Sequence, residues 1–104
     1  MRRPEIIEQI RQAVRKADST ATAILYGSEA RGDARPDSDI DLLILVDGNR
    51  LDWDTQDRVA GPLYDIELKT GVQISTMVMP RSRWENRPFN TPFYINVTNE
   101  GIRL

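Results

Sequence analysis

The chain has 104 residues, 39% of them hydrophobic and 29% charged, with a formal net charge of -2 and a pI near 5.1. This describes one globular domain, 1–104, rather than a disordered chain, and the acidic balance argues against strong nucleic-acid binding. There is no cysteine and no histidine, so disulfides, thiolate sites and imidazole chemistry are excluded; any metal must take oxygen ligands, and a reducing cytoplasm is the natural setting.

The N-terminal MRRPEIIEQIRQ mixes acids and amides with its apolar residues and carries no small-residue cleavage site, so it does not read as a signal peptide. Ile6, Ile7, Ile10, Ala13, Val14 and Ala17 recur at helical spacing, and Pro4 suits a first turn, which predicts an amphipathic helix over 4–17. Residues 21–26 are apolar, β-capable and stopped by Gly27: a strand. A second strand, 40–46, is apolar at nearly every position after Asp41 and therefore expects cover on both faces. Its run 42–46 is the longest apolar stretch, far short of the roughly 20 residues that span a membrane. Asp47-Gly48-Asn49 is a turn, and Asp52 caps a helix whose stripe includes Val59, Leu63 and Ile66 and which ends at Gly71. Gly61-Pro62 should kink or break that helix. Residues 72–79 form a third strand closed by Pro80, 82–86 a helical turn that buries Trp84, and Thr91-Pro92 opens a last helix through about residue 99, with Gly101 past its end. The order α-β-β-α-β-α predicts an α/β or α+β layer, a small mixed β-sheet with helices packed on it.

Charge is unevenly spread: residues 36–70 hold nine Asp/Glu against three Lys/Arg. Asp47, Asp52, Asp54 and Asp57 read as a solvated face. Two other features carry chemistry. In Tyr26-Gly27-Ser28-Glu29-Ala30-Arg31-Gly32, directly after a strand, the glycine lets backbone N–H groups approach an anion. A helical turn follows it, the Ser28 hydroxyl is a donor, and Arg31 and Arg35 can neutralise phosphate. Alone, a Gly-Ser is as readily a turn and helix cap. The second feature is Asp39-Ile40-Asp41 leading into the apolar strand. Side chains two apart on a strand share a face, so the carboxylates converge and repel unless a divalent cation lies between them. Alone, an Asp-x-Asp is more often a solvated strand entrance.

Alternatives fail on particulars. An EF-hand needs Gly where Leu42 stands and Glu where Gly48 stands; a P-loop needs Gly-Lys, which the chain lacks; a dinucleotide fingerprint needs G-x-G-x-x-G, but the next glycine after Gly27 is Gly32. Haloacid-dehalogenase-type sites place Asp-x-Asp after the hydrophobic strand, not before it.

Taken together, Gly27-Ser28, ten residues, then Asp39-x-Asp41 and an apolar strand resemble the signature of the polymerase-β-like nucleotidyltransferase superfamily. The stretch GSEARGDARPDSDIDLLIL is similar to the minimal nucleotidyltransferases of bacteria and archaea. The resemblance implies that Gly27 and Ser28 hold the β- and γ-phosphates of a nucleoside triphosphate, and that Asp39 and Asp41 bind Mg²⁺ (or Mn²⁺). An acceptor hydroxyl then attacks the α-phosphate. It also implies a third carboxylate on the next strand, where this chain has Val72-Gln73-Ile74. Gln73 is an amide and cannot be an anionic ligand or base; Glu67 or Asp65 on the preceding helix is the alternative. Minimal nucleotidyltransferases resemble, as a class, the antitoxins paired with helical HEPN-type toxins. The implied partners are therefore a triphosphate and such a helical protein, with self-association open and no membrane. Trp53, Trp84, Phe89, Phe93 and Tyr94 are expected to be mostly core, with partner contact as the alternative. Two functions follow: transfer of a nucleoside monophosphate to a hydroxyl acceptor, or a weakly active or inactive nucleotide-binding interaction module.

Overall fold

The computed structural model describes residues 3–48 and 52–104. Its elements run α1 (Pro4–Ala17), β1 (Thr22–Tyr26), α2 (Gly27–Arg31), β2 (Ile40–Val46), α3 (Trp53–Thr70), β3 (Ile74–Pro80), α4 (Arg81–Glu85), α5 (Pro92–Glu100) and β4 (Ile102–Arg103). The strands form one mixed sheet in the order β3-β2-β1-β4. β1 pairs antiparallel with β2 and β4, and β2 pairs in parallel with β3, the two joined through α3.

Apolar alternation decides which helix covers which face. Ala23, Leu25, Ile40, Leu42, Ile44, Val46 and Ile74 project to one face and meet Ile7, Ile10 and Val14 of α1 and Val59, Leu63 and Ile66 of α3. The other face carries Ile24, Tyr26, Leu43, Leu45 and Met79 and is covered by Val97 and Phe93 of α5 and Trp84 of α4. Helices thus lie on both sides of β2, as its apolar run requires, and every residue of β2 except Asp41 is buried.

Several expectations are revised. Of the kink or break expected at Gly61-Pro62, the break does not occur; α3 runs through Pro62, because Val59 on one side and Leu63 and Ile66 on the other are all anchored in the core. The third strand starts at Ile74, so Val72 and Gln73 precede it and Pro80 lies within it. A fourth strand, β4, follows Gly101; two residues show no pattern, and only pairing with β1 defines them. Of the five aromatics expected to be mostly core, none is fully buried. Trp53 and Phe89 are 79% and 68% exposed, while Trp84, Phe93 and Tyr94 are half-buried. The turn at Asp47-Gly48 stands, with Asn49 outside the described residues. Asp47, Asp52, Asp54 and Asp57 are exposed as expected, and Asp52 accepts the Thr55 N–H (2.8 Å) as the cap of α3.

Candidate active site

β1 delivers its last residue, Tyr26, opposite Asp41 on β2. The chain must then turn away at once. Gly27 does so with φ +75°, and a Cβ at this position would overlap the Asp41 carboxylate. Glycine is required twice here, by the left-handed backbone and by Asp41, which packs directly on the turn. The Gly-Ser motif and the second aspartate of Asp-x-Asp are thereby brought into one site.

The register extends the site. Asp41 pairs with Ser75 on β3, and Ile40 with Ile74. Asp39 and Gln73 each come one residue before the Ile40–Ile74 pair, so they stand side by side at the strand mouth, on the face that carries Asp41 and Ser75. Ser75 Oγ donates to Asp39 Oδ2 at 3.4 Å. Gln73 is exposed, and its carbonyl accepts the Ile40 N–H (2.9 Å). The alternative carboxylate, Glu67, is committed elsewhere: its Oε1 accepts the Ile74 N–H (2.7 Å) and caps the start of β3. Asp65 is exposed on α3.

Burial raises the pKa of Asp41, and the nearby Asp39 and Glu100 raise it further, against the opposing pull of Arg31. The Tyr26 hydroxyl is likewise pushed up, by burial and then by Asp41. Negative charge is therefore crowded into this corner. Both carboxylates are part-buried oxygen donors on one face, a donor set suited to a hard dication. Among the described residues no group of three His, Cys, Asp or Glu is placed to hold a metal by itself. Phosphate oxygens would have to complete such a shell.

Arg31 reaches the site but is already engaged, with Asp33 (3.3 Å) and Glu100 (3.2 Å). Arg35 is exposed and lines a shallow depression with Arg3, Ala34 and Pro36 rather than the Gly27 turn. Ala34 itself is buried, so that loop has a packing role its sequence does not advertise. α2 is a single five-residue turn; its donors act as separate N–H groups more than as a summed dipole.

Three residues that pack into the candidate site escape a reading of the sequence. Ser75 has no local signal. Glu29 is fully buried and paired with Arg3, whose backbone N–H (2.7 Å) and guanidinium (3.0 Å) both bind its carboxylate. Arg3 also donates to the Ser38 carbonyl (2.8 Å), tying α2 to the loop that presents Asp39. The third is Glu100, whose carboxylate sits on the Gly27 N–H. An acid at the last residue of a helix opposes the helix dipole, and that was the available clue.

Residues 7–104 match the nucleotidyltransferase domain family. The chain is also 40% identical, over 78 residues, to a protein of Methanocaldococcus jannaschii named "Putative protein adenylyltransferase"; the match covers 75% of this chain and 71% of that relative. A family match running from α1 through β4, on a mixed sheet that packs Asp41 against the Gly27 turn, assigns the enzyme class: the chain belongs to the nucleotidyltransferase domain family, as a minimal nucleotidyltransferase.

Proposed function

We propose that the protein transfers a nucleoside monophosphate from a nucleoside triphosphate to a hydroxyl on a protein, with Mg²⁺ or Mn²⁺ as cofactor. The observation that carries this reading is the close packing of Asp41 on the Gly27 turn, which supports a phosphate-cradling role for the turn and a metal-ligand role for the carboxylate beside it. The relative's name, which speaks of adenylyl transfer to protein, supports ATP as donor and a protein as acceptor.

In this reading Gly27 and Ser28 hold the terminal phosphates, Arg31 adds positive charge, and Asp39 and Asp41 hold the metal. Arg35 is a peripheral contributor. When bound, the metal would neutralise phosphate oxygens and the charge that develops on the leaving pyrophosphate. Ser75 fixes the Asp39 carboxylate, and the Arg3–Glu29 pair holds the turn against the loop before Asp39. The acceptor oxygen bonds to the α-phosphorus as the bond to pyrophosphate breaks, and the hydroxyl proton passes to solvent water. β3 has no carboxylate to take it, Gln73 is an amide, and Glu67 is held by the Ile74 N–H. Transfer by the isolated chain is therefore slow. Base assistance is typically worth about 10²- to 10⁴-fold.

That gap favours a second reading, in which the chain acts mainly by binding nucleotide and holding a partner such as a helical HEPN-type protein. Trp53, Tyr64 and Leu68 are exposed on α3 and support a protein-docking role. A reducing cytoplasm remains the setting that a cysteine-free chain suits; no helix among the described residues is long and apolar enough to cross a membrane. The deciding assay follows α-labelled ATP in a single turnover with a candidate partner present, for wild type, Gln73→Glu, Gln73→Asp and Glu67→Gln. Faster transfer on adding the carboxylate at position 73 supports the enzyme reading. Loss of a fast wild-type rate in Glu67→Gln would move the base to α3, and inert variants that still bind partner would leave the binding module.

A further inference from the structure

The Gly27 turn is not free to receive an anion, because it already holds one. Glu100, the last residue of α5, accepts the Gly27 backbone N–H on Oε1 at 3.2 Å, and Arg31 Nη1 donates to both of its oxygens at 3.2 Å. The contact joins residues 73 positions apart and is built by packing. Gly101, directly after Glu100, donates its N–H to the Val97 carbonyl (2.8 Å) and lies flat on β1. A Cβ there would overlap the Val97 carbonyl and come within 2.8 Å of Ile24 Cγ2. Without a side chain at 101, the end of α5 closes onto β1 and α2 and sets the Glu100 carboxylate over the turn.

The two groups that hold Glu100, the Gly27 N–H and Arg31, are among the three assigned above to the phosphates. A carboxylate on a backbone N–H and a guanidinium makes the same charge-assisted bonds as a phosphoryl oxygen. We propose that Glu100 is an internal stand-in for the triphosphate: it holds the Gly27 turn and Arg31 in place and must be displaced when the nucleotide binds, so that it sets nucleotide affinity. This rests on the triphosphate reading of the Gly27–Asp41 site. Glu100 is not part of the reacting machinery in this account, since it leaves before the substrate is seated.

The energetic consequence is direct. A ligand that binds only the open form has its apparent affinity reduced by the fraction of protein that is open. If Glu100 occupies the turn about nine-tenths of the time, removing its charge tightens binding by about tenfold. Gln at 100 keeps the length and can still accept the Gly27 N–H, but loses the attraction to Arg31.

The test measures Kd by calorimetry for inorganic tripolyphosphate without metal and for ATP with Mg²⁺, in wild type, Glu100→Gln and Glu100→Ala. The expected result is tighter binding of both ligands by the two variants, about three- to tenfold. In the wild-type protein, which needs no variant to fold, the Glu100 carboxyl carbon followed by NMR should shift on saturation with Mg-ATP. Unchanged or weaker binding in the variants, or a carboxyl resonance that stays put while ATP saturates, overturns the proposal. If Asp41→Asn still abolishes Mg-ATP binding in those circumstances, the triphosphate site itself stands. If wild type and variants alike bind no triphosphate, both readings fall together.

Discussion

The two faces of the sheet have been given different tasks. On one, α1 and α3 close over Leu25, Ile40, Leu42 and Ile44, all fully buried. On the other, α5 and α4 cover only the part holding Leu43, Leu45 and Met79, and Asp39, Asp41 and Tyr26 remain part-exposed at the strand ends. β2 serves both: alternate residues supply the core, while Asp41 at its entrance is the one position not buried. The closed face supplies stability, and the half-open face spends some of it on a crowded set of carboxylates.

That division predicts where substitutions act. The largest effect on stability belongs to the closed face: Leu42→Ala should cost about 2–5 kcal/mol in denaturant unfolding, because a cavity opens where α1 and α3 press on the sheet. Met77→Ala, on the half-open face and 43% exposed, should cost under about 1 kcal/mol. Comparable losses would mean the faces are not distinct. Next comes the strut beneath the site. Arg3→Ala takes the guanidinium from the fully buried Glu29 carboxylate, leaving the backbone N–H in place, and should destabilise by about 3 kcal/mol; a change under about 0.5 kcal/mol would show that the pair does not hold α2 in place.

Asp41→Asn should act in the opposite sense. The folded-state pKa of Asp41 lies above its ordinary 3.8, so between the unfolded and folded values the native state binds more protons. This group's contribution to stability therefore falls as pH rises from below 3.8 through the raised folded value. The variant, which lacks the charge, should melt higher than wild type at neutral pH, and the gap should close towards pH 3. A variant that melts lower at pH 7 would contradict the crowding argument.

Smallest in energy is the contrast between the two loop arginines. Arg31→Ala should weaken triphosphate binding about tenfold, roughly 1.4 kcal/mol, and Arg35→Ala by less, since its side chain lies with Ala34 and Pro36. Equal losses would put Arg35 back at the phosphates.

Much of this was legible in the residues themselves. The helix of α1 follows from Ile7, Ile10 and Val14, and β2 from a run that only a doubly covered strand tolerates. The convergence of Asp39 and Asp41 follows from the pleat, and the Gly-Ser turn from its place after β1. What stayed hidden depends on contacts between distant positions. Pro62 is carried within α3 because flanking residues are anchored elsewhere in the chain. Glu29 reads as a surface acid until Arg3, 26 positions away, is folded onto it. Ser75 gains a role only from the β2–β3 register, and Glu100 only because Gly101 lets α5 close on β1. Local pattern specifies elements; it does not specify which polar side chains meet when the elements pack.

The central claim is that the Gly27–Asp41 corner binds a metal–triphosphate, and thermal unfolding with and without Mg-ATP tests it most directly. At a ligand concentration about 100 times Kd the folded state gains about 2.7 kcal/mol, which raises the Tm of a chain this size by roughly 10 °C or more. Wild type should show that rise, and Asp41→Asn should show little of it from its own higher starting point. An equal rise in both, or none in wild type, would contradict the assignment.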